Sequence, residues 1–398
     1  MITRLAGRDV RFHPAILSHA NFLTSRMNIL RGAGAIAACL FPSAVLDAAP
    51  VPAPATALVV TSPQDYQVFQ RQSKTQGTVL VEGKAEKAVA AEVRVGDGAW
   101  QAVKIDPQTH AFRAALPSAA GGWFPVRVRL KDRDTVVAES LIEHVGVGEV
   151  FIVAGQSNSA NFGSGRQEST SGKFSSFDGS KWAVGNDPQR GGGGGGGSFM
   201  PAFGDAIIAK YNVPVAVACC GIGSTSVRNW LPAGEKMSLR PKSGTFIRPA
   251  GEGQWVCTGQ AHDMLMKRVN ALGKNGFRAV LWHQGESDSY QDPANDITGK
   301  DYRRMMELVI RSSRQKAAWE IPWITANVSY RSEGQPENPD LRAAQQSLWA
   351  DGITLQGPDT DKLRREYRAG VHFNPKGLEA HGKLWAEKVS VWLDKVLR

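Results

Sequence analysis

The chain has 398 residues, 42% of them hydrophobic and 21% charged, with 47 Lys and Arg against 37 Asp and Glu. That length predicts two domains, and the apolar content excludes an intrinsically disordered chain. The net charge of +10 does not read as nucleic-acid binding: the densest basic stretches, RLKDRD from Arg129 and KLRREYR from Lys362, are interrupted by acidic residues.

Nothing from Met1 to Ser25 is patterned like a core or a strong helix. After Met27 the texture changes. Arg31 precedes an apolar run from Gly32 to Phe41, and small residues follow as far as Ala48 and Ala49. A positive start, a short apolar centre and a small-residue end are the layout of a secretory signal peptide. Residues 1–49 therefore read as an over-extended start plus a leader beginning at Met27. IAAC at Ile36–Cys39 also fits a lipoprotein-type box, ranked second because little apolar sequence precedes it. The run is too short to span a bilayer. An exported protein, periplasmic or extracellular, is expected, and export permits Cys257 to pair with Cys219 or Cys220.

A Pro/Ala linker, APVPAPATA, runs from Ala49 to Ala57. Short segments follow: TVLVEG, AEVRVG, WQAVKID, FRAALP, FPVRVRLKD and TVVAESLIEHV. In AEVRVG and FPVRVRL apolar and polar residues alternate with a period of two, and Gly, Pro or Asp punctuate the gaps. Residues 50–147 are thus expected to form a small β-sandwich serving as an accessory domain.

From Gly148 strands and helices alternate. VFIVAG, VPVAVACCG, RAVLWHQG and IPWITANVS read as buried strands. SFMPAFGDAIIAKYN, HDMLMKRVNALGKNG, DYRRMMELVIRSSRQKA and PKGLEAHGKLWAEKVSVWLDKVL read as helices. Residues 148–398 are expected to fold as a mostly parallel sheet with helices on both faces. Ligands then sit beyond the carboxyl ends of the strands. Three strands end there in polar, Gly-containing clusters: Gly155–Asn158, Gly221–Ser226 and Gln284–Asp288. The stretch Phe162–Ser198, with its run Gly191–Gly197, reads as a long loop, either a lid or disordered; without a following Lys-Ser/Thr it is no phosphate loop.

Ser157 lies on the first turn after a strand, where backbone N–H groups are free. A serine needs a base to become a nucleophile. His372 fits best, being in a polar loop, whereas His262 and His381 lie in helical segments and His283 is embedded in WHQGESD. Acyl transfer also needs donors for the developing oxyanion. The Ser157 N–H, the Gly223 N–H and the Gln284 amide are the candidates.

VGEVFIVAGQSN, GIGSTSVRNW, LWHQGESD and GVHFNPKG together resemble the SGNH/GDSL hydrolase superfamily, and more narrowly the carbohydrate esterases of the sialic-acid-specific acetylesterase type. The resemblance covers about residues 148–398. It implies a flavodoxin-like α/β domain, Ser157 as nucleophile, His372 as base, and Ser157, Gly223 and Gln284 around the oxyanion. It also implies an aspartate three residues before the histidine, where this chain has Ala369. Glu286, Asp288, Asp359, Asp361 and Glu366 are the candidate substitutes. Glu286 comes first, as the orienting acid or as a brace for its loop. Ala369 is equally compatible with a Ser–His dyad or with a damaged site.

The expected activity is removal of O-acetyl groups from carbohydrates, sialate or another acetylated glycan, through an acetyl-serine. Substrate and water are the expected partners, with no metal, cofactor or nucleic acid. Another SGNH ester or thioester hydrolase, or a carbohydrate-binding protein with a decayed site, are the alternatives.

Overall fold

Alternation with a period of two becomes strand in the first third of the chain: β1 (Leu58–Ser62), β2 (Gln67–Gln70), β3 (Gln76–Ala85), β4 (Ala90–Val95), β5 (Gln101–Val103), β6 (Ala111–Ala119) and β7 (Gly121–Asp132). The computed structural model describes residues 57–86, 90–238, 240, 244–290, 292 and 295–397, all within the compact unit Pro54–Arg398. The expected leader, Cys39 and nearly all of the Pro/Ala linker lie outside the described residues.

β3 lies between β1 and β6 in an antiparallel three-stranded sheet. β4 pairs with β5 and β7, and β7 with β8 (Thr135–Gly155). Alternate residues of the two groups meet in one core: Val79, Val81 and Leu116 from the first, Val93, Val128 and Val145 from the second. Each such side chain contributes about 1.5–3 kcal/mol by leaving water.

β8 is the spine of the molecule. Its first part pairs with β7, Gln67–Gln70 run parallel to Val145–Gly148, and Glu149–Gly155 enter a second set of strands. The expected domain boundary at 147/148 therefore falls inside one continuous strand. At that point buried Glu149 is held by Arg71 at 2.6 Å and by Arg278 at 2.7 Å, each charge neutralised by a partner where water is absent.

The remaining elements are β9 (Phe174–Phe177), β10 (Trp182–Val184), α1 (Met200–Tyr211), β11 (Val215–Cys219), β12 (Lys236–Met237), β13 (Ile247–Gly251), β14 (Gln254–Cys257), α2 (Gln260–Leu272), β15 (Ala279–His283), α3 (Gly299–Ala317), β16 (Trp323–Asn327), α4 (Pro339–Ala350), β17 (Leu355–Asp359), β18 (Arg368–Ala369), β19 (His372–Phe373) and α5 (Pro375–Val396). The main sheet runs β10-β9-β11-β8-β15-β16-β17, parallel except for the edge strand β10. Along β8, Val150, Ile152 and Ala154 point to a core shared with α2, α3 and α4, while Phe151 and Val153 point to one shared with α1 and α5. Both faces being covered, these strands are apolar throughout.

Cys219, Cys220 and Cys257 are free, buried thiols, so the permitted disulfide is not formed. Burial pushes the Cys219 and Cys220 thiols up to about 12 and leaves them inert.

The stretch read as one long loop is also more structured than expected. It contains β9 and β10, and Trp182 stacks on Phe177. The glycine run is laid down by backbone hydrogen bonds: Gly193 donates to Gly221 O and accepts from Asn161, and Gly197 exchanges two bonds with Gly163. Gly194, at φ +82°, sits so close to the Asn161 carbonyl that a Cβ would collide with it. Close backbone approach, rather than freedom, accounts for that glycine.

Candidate active site

β8, β11 and β15 are neighbours, so their carboxyl ends bring the three polar clusters together. β8 ends because Gly155 has φ +128° and its missing side chain leaves room for the His283 carbonyl. Gln156 N then donates to that carbonyl at 3.0 Å, and Gln156 Oε1 accepts from Ser287 N at 2.9 Å. Locked to the end of β15 in this way, the chain makes one turn of 3-10 helix, Ser157–Ser159. The Ser157 hydroxyl has no hydrogen-bond partner among the described residues and is not among the sealed, unpartnered atoms, so it opens to solvent. The Ser157 and Gly223 N–H groups likewise meet no acceptor among the described residues.

The loop after β11 is tied to both neighbours. Ile222 N donates to Gly155 O at 2.9 Å. Asp288 accepts from the Ser226 hydroxyl, and from Val227 N and Gln284 Nε2 at 2.7 Å each. Gln284 Nε2 also donates to Thr225 O at 3.1 Å. Gln284 is fully buried and both its amide hydrogens are committed. The oxyanion role expected for Gln284 is therefore not available in this geometry; the side chain braces two loops instead.

The 3-10 turn also receives the β18–β19 hairpin, which carries His372 opposite Ala369. Asn158 Nδ2 makes the join, donating to Val371 O at 3.1 Å and to Glu286 Oε1 at 2.7 Å. The His372 ring stacks on Phe162, with centroids 5.8 Å apart. Among the described residues neither its nitrogens nor the Ser157 hydroxyl are hydrogen-bonded to each other or to anything else. Such contacts commonly close only around substrate. Partial burial and the Arg368 cation hold the His372 pKa below the ordinary 6.5, so the ring is neutral at neutral pH and free to accept a proton.

The other histidines from residue 148 onward are fully buried. Burial takes His262 down to about 4 and His283 to about 3. His283 Nε2 lies 3.0 Å from Thr360 Oγ1, and His381 Nε2 accepts from Trp385 at 3.0 Å. Each is a neutral core residue.

Geometry also sorts the five candidate carboxylates. Asp288 is spent on the loop after β11. Asp359 pairs with Arg342 at 2.9 Å. Asp361 accepts from Ser329, Tyr330 and Arg342. Glu366 is exposed, near Lys376. Glu286 alone lies buried beside the histidine hairpin, joined to it through Asn158, with Oε2 unpartnered among the described residues. Burial raises its pKa to about 7, against the opposing Asn158 hydrogen bond.

Asn158, Phe162 and Arg368 were not singled out in the sequence. For Asn158 the signal was its place beside the serine in GQSN; Phe162 and Arg368 carry no signal of their own.

An open hydroxyl, unused backbone donors and a neutral imidazole at the carboxyl edge of a parallel sheet are the components of a serine-type ester hydrolase. The comparisons agree. Residues 147–390 match the family described as carbohydrate esterase, sialic acid-specific acetylesterase. The chain belongs to that family and is a carboxylic ester hydrolase that removes O-acetyl groups from carbohydrates. Among solved structures it is similar to a carbohydrate acetylesterase from Xanthomonas citri, at 18% identity and TM-score 0.53 over 83% of this chain and 73% of that one. A protein from Arabidopsis thaliana is 17% identical with TM-score 0.42, covering 62% of this chain and 98% of that one. No curated protein matches the sequence.

Proposed function

We propose that the protein deacetylates carbohydrates through an acetyl-serine intermediate, with Ser157 as nucleophile and His372 as general base. His372 takes the hydroxyl proton as Ser157 Oγ attacks the acetyl carbonyl carbon. The resulting oxyanion lies between the Ser157 and Gly223 N–H groups, where preorganised donors stabilise the transition state most. His372 returns the proton to the sugar oxygen as the C–O bond breaks. A water deprotonated by His372 then splits the acetyl-serine into acetate and free serine. Glu286 acts from behind Asn158, as the acidic group nearest the histidine hairpin.

The observation that carries this reading is the open Ser157 hydroxyl beside unused N–H donors, on a turn to which the His372 hairpin is hydrogen-bonded. The strand order, with the two strands that follow β8 in the parallel set placed on opposite sides of it, supports a flavodoxin-like SGNH domain over residues 148–398. The facing sheets of residues 57–147 support an accessory β-sandwich. The pattern from Met27 to Ala49 supports export; among the described residues no helix is long and apolar enough to cross a membrane. Ser157→Ala should abolish acetate release from a panel of acetylated sugars, sialate included. Turnover at the wild-type rate in that variant would refute the assignment.

A further inference from the structure

A two-residue ladder has little stability of its own, yet the β18–β19 hairpin must hold His372 in place with Ala369 where a carboxylate would have gripped the imidazole. Arg368, the first residue of that hairpin, is 9% exposed. Its Nε donates to Leu363 O at 2.6 Å, Nη1 to Val371 O at 2.8 Å and Nη2 to Thr360 O at 3.0 Å. The guanidinium lies 4.3 Å from the Tyr330 ring centre and 3.8 Å from that of Phe373. Val371 and Phe373 flank His372, so Arg368 touches the chain on both sides of the imidazole.

We infer that Arg368 is the positioning residue that fixes His372, taking over the orienting task in a site with no carboxylate at 369. The inference rests on the reading of His372 as general base. A planar fork with several donors on one rigid group suits a target of three fixed carbonyls, and a lysine ammonium does not reproduce it. The Val371 carbonyl, which also accepts from Asn158, is the shared point through which the fork reaches the serine turn. Arg368 makes no ion pair within 4.0 Å among the described residues; Glu286, Asp361, Glu333 and Tyr330 face it at longer range, and buried His283 and His381 complete the titratable surroundings. Its charge therefore also acts on the imidazole, disfavouring the protonated ring.

The test is the pH dependence of kcat and KM for acetate release in Arg368→Lys and Arg368→Met, with His372→Ala alongside. Arg368→Lys retains a charge but loses the fork; kcat should fall by about 100-fold, with KM little changed and the acid limb of kcat/KM in place. Arg368→Met should lose kcat similarly and move the acid limb to higher pH, because removing a nearby cation raises the pKa of the base. If Arg368→Met does not fold, Arg368→Lys decides: a drop in kcat at constant KM supports the role. Wild-type kcat in a folded Lys variant, or wild-type kcat and acid limb in both, would overturn it and leave Arg368 a structural residue. Wild-type turnover in His372→Ala would instead overturn the base assignment, whatever the Arg368 variants do.

Discussion

Asn158 donates to Glu286 across 2.7 Å, and the same amide reaches the carbonyl before His372. One short side chain thus couples the end of β8 to the loop after β15, 128 residues further on, and to the histidine hairpin, 213 residues further on. Because Glu286 Oε2 is already unpartnered among the described residues, the pair has no spare donor.

Asn158→Ala should therefore cost about 1–3 kcal/mol, the penalty for leaving buried polar groups unsatisfied. Urea unfolding measures it directly. Acetate release should fall in the same variant, since the histidine hairpin loses its tie to the serine turn.

Glu286 makes stability depend on pH. Its folded-state pKa is raised from 4.5 to about 7. Below pH 4.5 the group is protonated folded or unfolded, and no penalty arises. Between pH 4.5 and about 7 the unfolded chain ionises while the folded one resists, so stability falls as pH rises, by on the order of 3 kcal/mol at most. Glu286→Gln should flatten this part of the stability profile. An unchanged slope in thermal melts across that range would contradict the assignment.

Activity should respond to pH through His372 with the opposite sense. The base works unprotonated, and its pKa lies below 6.5. Activity should hold as pH falls to 6.5 and decline only beneath it, as followed by kcat/KM for a chromogenic acetate ester.

Gly223→Ala should impair turnover without unfolding the protein. A Cβ there would come within 2.6 Å of the Phe162 ring, which stacks on His372. Displacing that ring moves the base relative to the serine, and misplacement by about 1 Å can cost about 100-fold in rate. Circular dichroism together with kcat separates this from a folding defect.

Gln284→Ala should act on stability first. It strips Asp288 and the Thr225 carbonyl of a donor inside the protein. A loss of about 1–3 kcal/mol is expected from the unpaired groups, read as a lower urea midpoint.

Much of the fold was legible because its signals are local. Alternation along FPVRVRLKD marked β7, and the unbroken apolar run VFIVAG marked the buried end of β8. α4 and β17 were missed. In α4 the buried residues Leu341, Ala344, Gln345 and Leu348 include a glutamine, which blurs the helical stripe, and β17 carries Gly357 and Pro358 within its five residues. β9 and β10 were missed because their Ser- and Gly-rich surroundings look like loop until β11 supplies the partner.

At the site, residue types and chain order singled out Ser157, Gly223, Glu286 and His372, because a hydroxyl, an imidazole and a small residue each carry their chemistry with them. The role of a side chain that works by hydrogen bonding depends on which acceptors the fold brings to it, and that is a long-range matter. Gln284 read as a donor to substrate, yet the fold places Asp288 and Thr225 within its reach and uses both its hydrogens. The gap at Ala369 was visible in the sequence. Only the tertiary structure brought Arg368, Asn158 and Glu286 around the hairpin that carries His372, because each of those contacts joins segments that meet nowhere along the chain.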